Sequence, residues 1–484
     1  MAETKSLRKN SFFSFFNAFT TLLFPLITFP YASRILHPEG IGKNNFAVSI
    51  EGYFAMLAGL GISAYATREA AKLRDNKYEF SKFCKEIISI NLISMIISYT
   101  LLLILLFTVP KFEQYRLLIL VRSMDIFFCT IGLEWLYRAE EDFKYITLRS
   151  FFFKIAGLIF LFIFVRDQDD IVEYTFFGIL TSVASNICNL FHSKKYIDYK
   201  IKCKLELTRH FKFIFTFFGM VVITSLYTIL DTSLLGFLSD DFQVGLYTAA
   251  TKLNKISLTL ITSLTAVLLP RLSYFAINNE KEKIIELAQK SASIIILLAL
   301  PVIAGLIFLA KPLTLIFSGP EYLQAIPAMY IISPIVLFIS LSSLIGSQIF
   351  AAINKEKLTL ISTSIAAIIN ITLNFIFIPK YGAMGAAIGT VFAEFGVTLF
   401  QIMCVREYIN KSIIFTFFQS IIGCVLISFE IFFISKYINN NLLNIFSSIL
   451  ISVISYGTVL YLFHNKYFIE SISIVKDKLL KKTK

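Results

Sequence analysis

Charge is what this sequence has least of. Only 16% of its 484 residues are Asp, Glu, Lys or Arg, against roughly a quarter in soluble globular proteins. No long polar stretch supplies the surface that soluble domains need, so the chain reads as one membrane domain. Cysteine and histidine are also sparse. Six scattered cysteines (Cys84, Cys129, Cys188, Cys203, Cys404, Cys424) form no Cys-x-x-Cys, and the four histidines lie far apart. Neither a disulfide framework nor a metal site is expected, and no cofactor. The net charge of +13 resides in short clusters between apolar runs rather than in a basic domain, which argues against nucleic acid and for a topology signal.

What is abundant is apolar: 56% of residues are hydrophobic and the mean hydropathy is +0.73. A spanning helix needs about 20 such residues. Candidates in the first half are Phe12 to Leu36, Asn45 to Ala66, Cys84 to Phe107, Leu117 to Leu136, Tyr145 to Val165 and Ile171 to Phe191. The second half offers Phe211 to Leu238, Val244 to Leu269, Ala292 to Ala310, Ala325 to Ala351, Leu358 to Ile378 and Ala383 to Val405. Ile413 to Ile434 and Leu442 to Phe463 close the chain. The first run follows Lys5, Arg8 and Lys9 as a signal peptide would. It is too long for one and lacks a small-x-small cleavage site, so it reads as a retained helix.

With a cytoplasmic amino terminus, about 33 Lys or Arg fall on the inner side and about 8 on the outer side, a bias that sets orientation. Both termini are expected inside. The longest polar linker separates two sets of six spans whose opening loops follow the same plan, and six spans return the chain to the same side, as in a parallel repeat. The expected fold is therefore all-α and polytopic, with about fourteen transmembrane helices. Two six-helix lobes (1–192 and 211–410) flank a basic cytoplasmic linker (193–210). Two further helices (411–464) and a basic cytoplasmic tail (465–484) follow, and a central cavity is expected between the lobes. Pro25 and Pro30, Pro301, and Pro327 with Pro334 are expected to bend the first, ninth and tenth spans, as kinks or as hinges.

Placing Asp, Lys or Arg at a bilayer centre costs about 2.5 to 3.5 kcal/mol on insertion scales, so intramembrane charges need a reason. In the eighth span Thr248, Lys252, Lys255, Thr259 and Thr262 recur at steps of three and four on one face, while Leu246, Leu253, Leu260, Leu264 and Val267 cover much of the rest. A cavity-lining stripe that meets substrate is one reading. Pairing of one lysine with Asp231, at a similar predicted depth on the preceding helix, is the other. Arg122 and Asp125, three apart on the fourth span, can pair on their own helix. Lys154 can snorkel to the interface. Glu51 and Glu394 have no evident partner and, with Asp231, are candidates for ion coupling. Arg34 stands at the expected outer mouth of the cavity and Arg68 opens an inner basic cluster. No outer loop is large enough for the catalytic loop expected of a glycan polymerase or ligase, which argues against an enzyme.

Several stretches share a pattern. Early in the chain it is Ser33-Arg34-Ile35-Leu36-His37-Pro38-Glu39-Gly40-Ile41-Gly42, then Phe46-Ala47 and Ala64-Tyr65-Ala66-Thr67-Arg68-Glu69. Later it is Asp231 to Gly236, Val244-Gly245-Leu246-Tyr247 through Lys252-Leu253, Leu269-Pro270-Arg271-Leu272-Ser273, and Asn374 to Ala387. Together they resemble the Wzx-type polysaccharide flippases of the multidrug/oligosaccharidyl-lipid/polysaccharide exporter superfamily. Glycine is usual in that family where this chain has His37.

The resemblance implies movement of an undecaprenyl-diphosphate-linked oligosaccharide, for O-antigen or capsule, across the bacterial plasma membrane by alternating access. The partners implied are that lipid-linked glycan, membrane lipids and the downstream polymerase or ligase machinery. Lys252, Lys255, Arg34, Arg68, Arg122 and Thr259 are then the candidates for substrate contact. A peptidoglycan-precursor flippase, expected to carry a more arginine-lined lumen, and a multidrug exporter, expected to have a more acidic cavity and to lack the last two helices, are rivals from the same superfamily.

Overall fold

In the computed structural model, which describes residues 7–266, 268–408 and 411–470, the chain is almost entirely helical, and no strand occurs among those residues. Val267 of the expected apolar face, Lys5 of the first basic cluster and residues 471–484 of the tail lie outside the described residues. The chain divides into two compact units, Met1–Gly245 and Leu246–Lys484.

The first unit contains α1 (Leu7–Gly59), α2 (Ile62–Leu73), α3 (Lys77–Thr108), α4 (Arg116–Ile131), α5 (Glu134–Ala139), α6 (Phe143–Phe164), α7 (Ile171–His192) and α8 (Thr208–Leu238). The division between units falls within α9 (Asp241–Ala266). The second unit continues with α10 (Leu269–Ile277), α11 (Lys281–Phe308), α12 (Ala310–Phe317), α13 (Ile326–Ile332) and α14 (Ile335–Ser342). After a π-helical stretch, Ser343–Ile349, come α15 (Phe350–Ala352), α16 (Glu356–Tyr381), α17 (Ala383–Cys404), α18 (Lys411–Tyr437) and α19 (Asn441–Leu462).

Ten stretches among the described residues are long and apolar enough to cross a membrane, or eleven with the bent pair Thr208–Ser225 and Thr228–Leu238. The difference from about fourteen has local causes. The first two expected spans run together as Phe12–Leu73, α4 has only 16 residues, and α9 is too polar along its stripe.

The break within α1 is at His37, with φ 57 and ψ 176, just before Pro38. Pro25, Pro30 and, in α11, Pro301 lie inside their helices without interrupting them. A proline removes one N–H and crowds the carbonyl four residues back, and the interruption of α1 itself falls where φ changes sign, at His37. Pro334 does mark a break, between α13 and α14.

Large apolar side chains cover much of the outside while many polar ones are buried, unlike a soluble protein. Phe446, Val453 and Leu462 are exposed, whereas Asn91, Asn186, Asn189, Asn370 and Gln401 are buried. The buried polar groups tie helices together. Asn91 Nδ2 and Ser94 Oγ both donate to the Ala58 carbonyl, at 2.7 and 2.6 Å, and Ser98 Oγ donates to Phe54 O at 2.7 Å. The bonds to Ala58 satisfy a carbonyl at the end of α1, where Leu60 and Gly61 take positive φ and stop the helix. In the second unit Tyr456 Oη donates to Leu297 O at 3.0 Å, joining α19 to α11, and Thr398 Oγ1 reaches Phe338 O at 3.0 Å, joining α17 to α14.

The linker 193–210 packs against the first unit. Lys85 Nζ donates to Ile201 O at 2.7 Å, Asp198 N–H to Ser81 Oγ at 3.0 Å, and Tyr196 Oη to Asp142 at 2.7 Å.

Candidate functional site

Two regions hold most of the charges expected within the membrane. In the first unit a cavity of about 320 Å³ is lined by Glu51, Asn91, Asp125, Glu134, Arg138 and Asn186 among others. Arg122 donates to Glu51 Oε2 at 3.3 Å, and both side chains are largely buried. The pairing of Arg122 with Asp125 on its own helix is therefore replaced by an ion pair between α4 and α1. Asp125 instead accepts a weak bond from Cys129 at 3.5 Å. Both acids stay in one cavity because α1 and α4 pack side by side.

Lys154 was expected to snorkel. It donates to Thr20 Oγ1 at 3.2 Å and Thr21 Oγ1 at 2.8 Å, so two hydroxyls of α1 help to solvate the ammonium. Arg34 is exposed and donates to Pro30 O at 2.5 Å. Arg68, also exposed, pairs with Glu69 at 3.0 Å and lies over the Phe217 ring at 5.2 Å. Asp231 in α8 and Glu394 in α17 are buried.

The second region is α9, which carries Lys252, Lys255 and Thr259 on consecutive turns. Lys252 is half-buried and Lys255 exposed. Thr259 Oγ1 donates to Lys255 O at 2.7 Å, and Thr262 Oγ1 to Leu258 O at 3.0 Å. Back-bonding of this kind occupies each hydroxyl hydrogen within the helix and leaves its oxygen lone pairs facing the stripe. The residues the stripe omitted are as telling: Asn254, fully buried on the same helix, donates to Ala250 O, and its own side-chain oxygen is buried without a partner among the described residues.

Elsewhere in the second unit a cavity of about 620 Å³ is lined almost wholly by apolar groups of α11, α18 and α19, among them Leu297, Pro301, Ile427 and Leu460. In the first unit Glu86, Arg149 and Asn189 are buried polar residues that sequence reading did not single out. Glu86 had a visible signal, a charge at the start of an apolar run. Its partners Arg209 and His210 lie 123 and 124 residues away and had none.

The chain is a multi-pass helical membrane protein with buried charges on broken helices, and its fold has solved counterparts. The structure is similar to a lipid II flippase MurJ in an inward closed conformation, with a TM-score of 0.75 over 94% of this chain and 98% of that one at 19% identity. It is also similar to an inward-facing multidrug resistance MATE family transporter, with a TM-score of 0.62 over 80% and 94% of the two chains at 16% identity. Both show the fold.

The model of the polysaccharide biosynthesis protein family matches residues 7–276, and the MatE model matches residues 217–376. The chain belongs to the polysaccharide biosynthesis protein family and is a Wzx-type member of the multidrug/oligosaccharidyl-lipid/polysaccharide exporter superfamily. Among its relatives is a protein of Escherichia coli (strain K12) named as an O-antigen transporter, 27% identical over 84% of this chain and 98% of the relative. Another is the capsular polysaccharide biosynthesis protein CapF of Staphylococcus aureus, 22% identical over 75% and 90%.

Proposed function

We propose that this protein flips an undecaprenyl-diphosphate-linked oligosaccharide repeat unit, for O-antigen or capsule, across the bacterial plasma membrane by alternating access. The observation that carries this reading is likeness over nearly the whole length of a named O-antigen transporter. In this reading the chain crosses the membrane about fourteen times, in two sets of six and a final pair, with both termini in the cytoplasm. It performs no bond-making chemistry, and hands its substrate to the polymerase or ligase machinery outside.

The physical logic rests on charge. A diphosphate is drawn to cations held in a low-dielectric setting, while its prenyl chain stays in lipid. Lys252 and Lys255 supply two ammonium groups one turn apart on a helix face whose other polar groups, Thr248, Thr259 and Thr262, are hydroxyls. Thr259, Arg34, Arg68 and Arg122 are further candidates for substrate contact, and Glu51, Asp231 and Glu394 for binding a coupling ion.

Deleting the gene and identifying the lipid-linked glycan that accumulates on the cytoplasmic face tests the reading. Accumulation of a single repeat unit is expected. Normal repeat units outside with only their joining lost would make the protein a polymerase or ligase, and accumulation of a peptidoglycan precursor would change the substrate. Orientation has its own test: a cysteine at Asp240 should label from outside and one at Lys200 should not.

A further inference from the structure

The cavity of the first unit contains more than an ion pair. Two expected spans are interrupted at it. α1 gives way to α2 through Leu60 and Gly61, with φ 44 and 69, and α4 gives way to α5 through Leu133, with φ 48. Gly59 and Ser63 flank the first break, Thr130 and Glu134 the second, and all four line the cavity. Broken helices within lipid are tolerated where they border a cavity whose groups satisfy the freed backbone.

The lining has a chemical character. Glu51 is offset by Arg122 at 3.3 Å and Glu134 by Arg138 at 2.7 Å, so two of its three carboxylates carry their own counter-charge. Donors and acceptors are mixed: the Arg138 guanidinium and the side-chain amides of Asn91 and Asn186 stand among the carboxylates of Glu51, Asp125 and Glu134. Asn186 is packed against Gly132, where a Cβ would come within 2.1 Å of its Oδ1, so its amide is held in place at the second break.

A separate observation comes from Trp135, which also lines the cavity. It is 4% exposed, and its Nε1–H is buried with no acceptor among the described residues. Its ring is held edge-on to Phe83, with centroids 6.4 Å apart. A buried donor of this kind costs free energy unless something accepts from it.

Three ligand chemistries can be compared. A diphosphate wants donors and net positive charge, and here acids outnumber bases. A bare cation wants acceptors alone, yet arginine and indole donors share this lining, and no three acidic, histidine or cysteine side chains among the described residues come close enough to hold one metal ion. The volume is also about ten times the roughly 30 Å³ that a water molecule occupies in the liquid, which suits an organic ligand. A sugar ring fits: each hydroxyl both donates and accepts, and an indole offers an apolar face beside a polar edge.

We propose that this cavity is a glycan subsite, taking one neutral, polyhydroxylated sugar residue of the transported oligosaccharide, with Trp135, Asn186, Asp125 and Glu134 as its contacts. The assignment rests on the flippase reading and adds to it a place, separate from the α9 lysines, where the sugar is recognised.

Trp135 is the only tryptophan in the chain, so its fluorescence reports on the cavity alone. The full-length protein in lipid nanodiscs is titrated with the oligosaccharide released by mild acid from the producing cell's own lipid-linked repeat unit, which carries neither diphosphate nor prenyl chain. Sodium chloride is titrated separately against choline chloride. A saturable change in emission with the oligosaccharide is expected, the same in either salt, and Asn186→Leu should weaken it by about tenfold or more, the worth of one good hydrogen bond. Glu134→Gln, nearly isosteric, serves if the first variant does not fold.

Flipping of the lipid-linked oligosaccharide in proteoliposomes is measured on the same preparation. Protein that flips but shows no response to the free oligosaccharide would overturn the subsite and leave the flippase reading standing, and absence of both would overturn both. A response to sodium without a response to sugar would make the cavity a cation chamber and end the proposal.

Discussion

Glu86 and His210, 124 residues apart, meet at 2.9 Å between the carboxylate Oε2 and the ring Nε2, with the carboxylate fully buried. Arg209 donates to the same oxygen at 2.5 Å, the backbone N–H of Glu206 donates to Oε1 at 2.8 Å, and Tyr65 Oη meets His210 Nδ1 at 2.8 Å. The end of the linker is thereby pinned to α3 and α2.

Removing the acid strands three polar partners. Glu86→Ala should lower the stability of the folded protein by about 1.5 to 3 kcal/mol, the range for hydrogen bonds to a charged group, with Glu86→Gln losing less. Thermal unfolding in detergent measures this. Trypsin should also cut faster at Lys200, Lys202 and Lys204, which are exposed along the linker. Unchanged unfolding and unchanged cleavage would mean that the cluster does not hold the linker.

His37 offers a prediction of opposite sign. Its φ of 57 with ψ near 180 is backbone geometry that glycine adopts freely and other residues rarely. His37→Gly should relieve strain of about 1–3 kcal/mol, less about 0.5–1 kcal/mol for glycine's greater freedom in the unfolded chain, and any side-chain contact of the histidine is lost as well. A net gain of about 1 kcal/mol is expected as a raised unfolding midpoint. A lowered midpoint would show that the histidine side chain outweighs the strain.

Much of this was legible in the sequence, for reasons that His37 itself illustrates. The family-like stretches were readable because backbone geometry restricts residue type: Pro38 and Gly245 stand 207 residues apart, yet a Cβ on Gly245 would lie 2.0 Å from the Pro38 carbonyl oxygen, so only glycine permits that approach. Apolar run length marked the long helices for the same direct reason. Pairing across helices was not legible. Arg122 had Asp125 three residues away and chose Glu51 instead, and Lys154 found Thr20 and Thr21. One-dimensional spacing describes a single helix face, and these partners are decided by which helices pack together. The breaks at Leu60 and Leu133 were missed because both leucines read as ordinary members of apolar runs.

The Glu51–Arg122 pair yields a third prediction. Breaking a buried ion pair from one side leaves an uncompensated charge, at a cost of about 3–5 kcal/mol. Arg122→Met should therefore reduce the amount of folded protein sharply, and Glu51→Gln with Arg122→Met should restore most of it. The ion-coupling role proposed for Glu51, with a proton as the ion, requires the restored double variant to transport without responding to an imposed proton gradient. A double variant that keeps the wild-type gradient response would leave the pair a purely structural one.

The sharpest prediction concerns the two lysines of α9. If Lys252 and Lys255 attract the substrate diphosphate, changing both to alanine should abolish export of the repeat unit while the protein stays in the membrane at normal level. Charge and shape can be separated, because arginine keeps the charge but replaces a compact ammonium with a planar fork. Lys252→Arg with Lys255→Arg should retain more transport than the alanine pair, and less than wild type if the fork cannot fit. Removing charge also changes the cost of burying the helix face, so the alanine pair is compared with Lys252→Met and Lys255→Met, which keep most of the stem volume and its packing. Loss of export in both the alanine and methionine pairs, with unfolding midpoints near wild type, is the expected outcome. Normal surface glycan from a fully expressed Lys252→Met, Lys255→Met protein would remove the lysines from the substrate path.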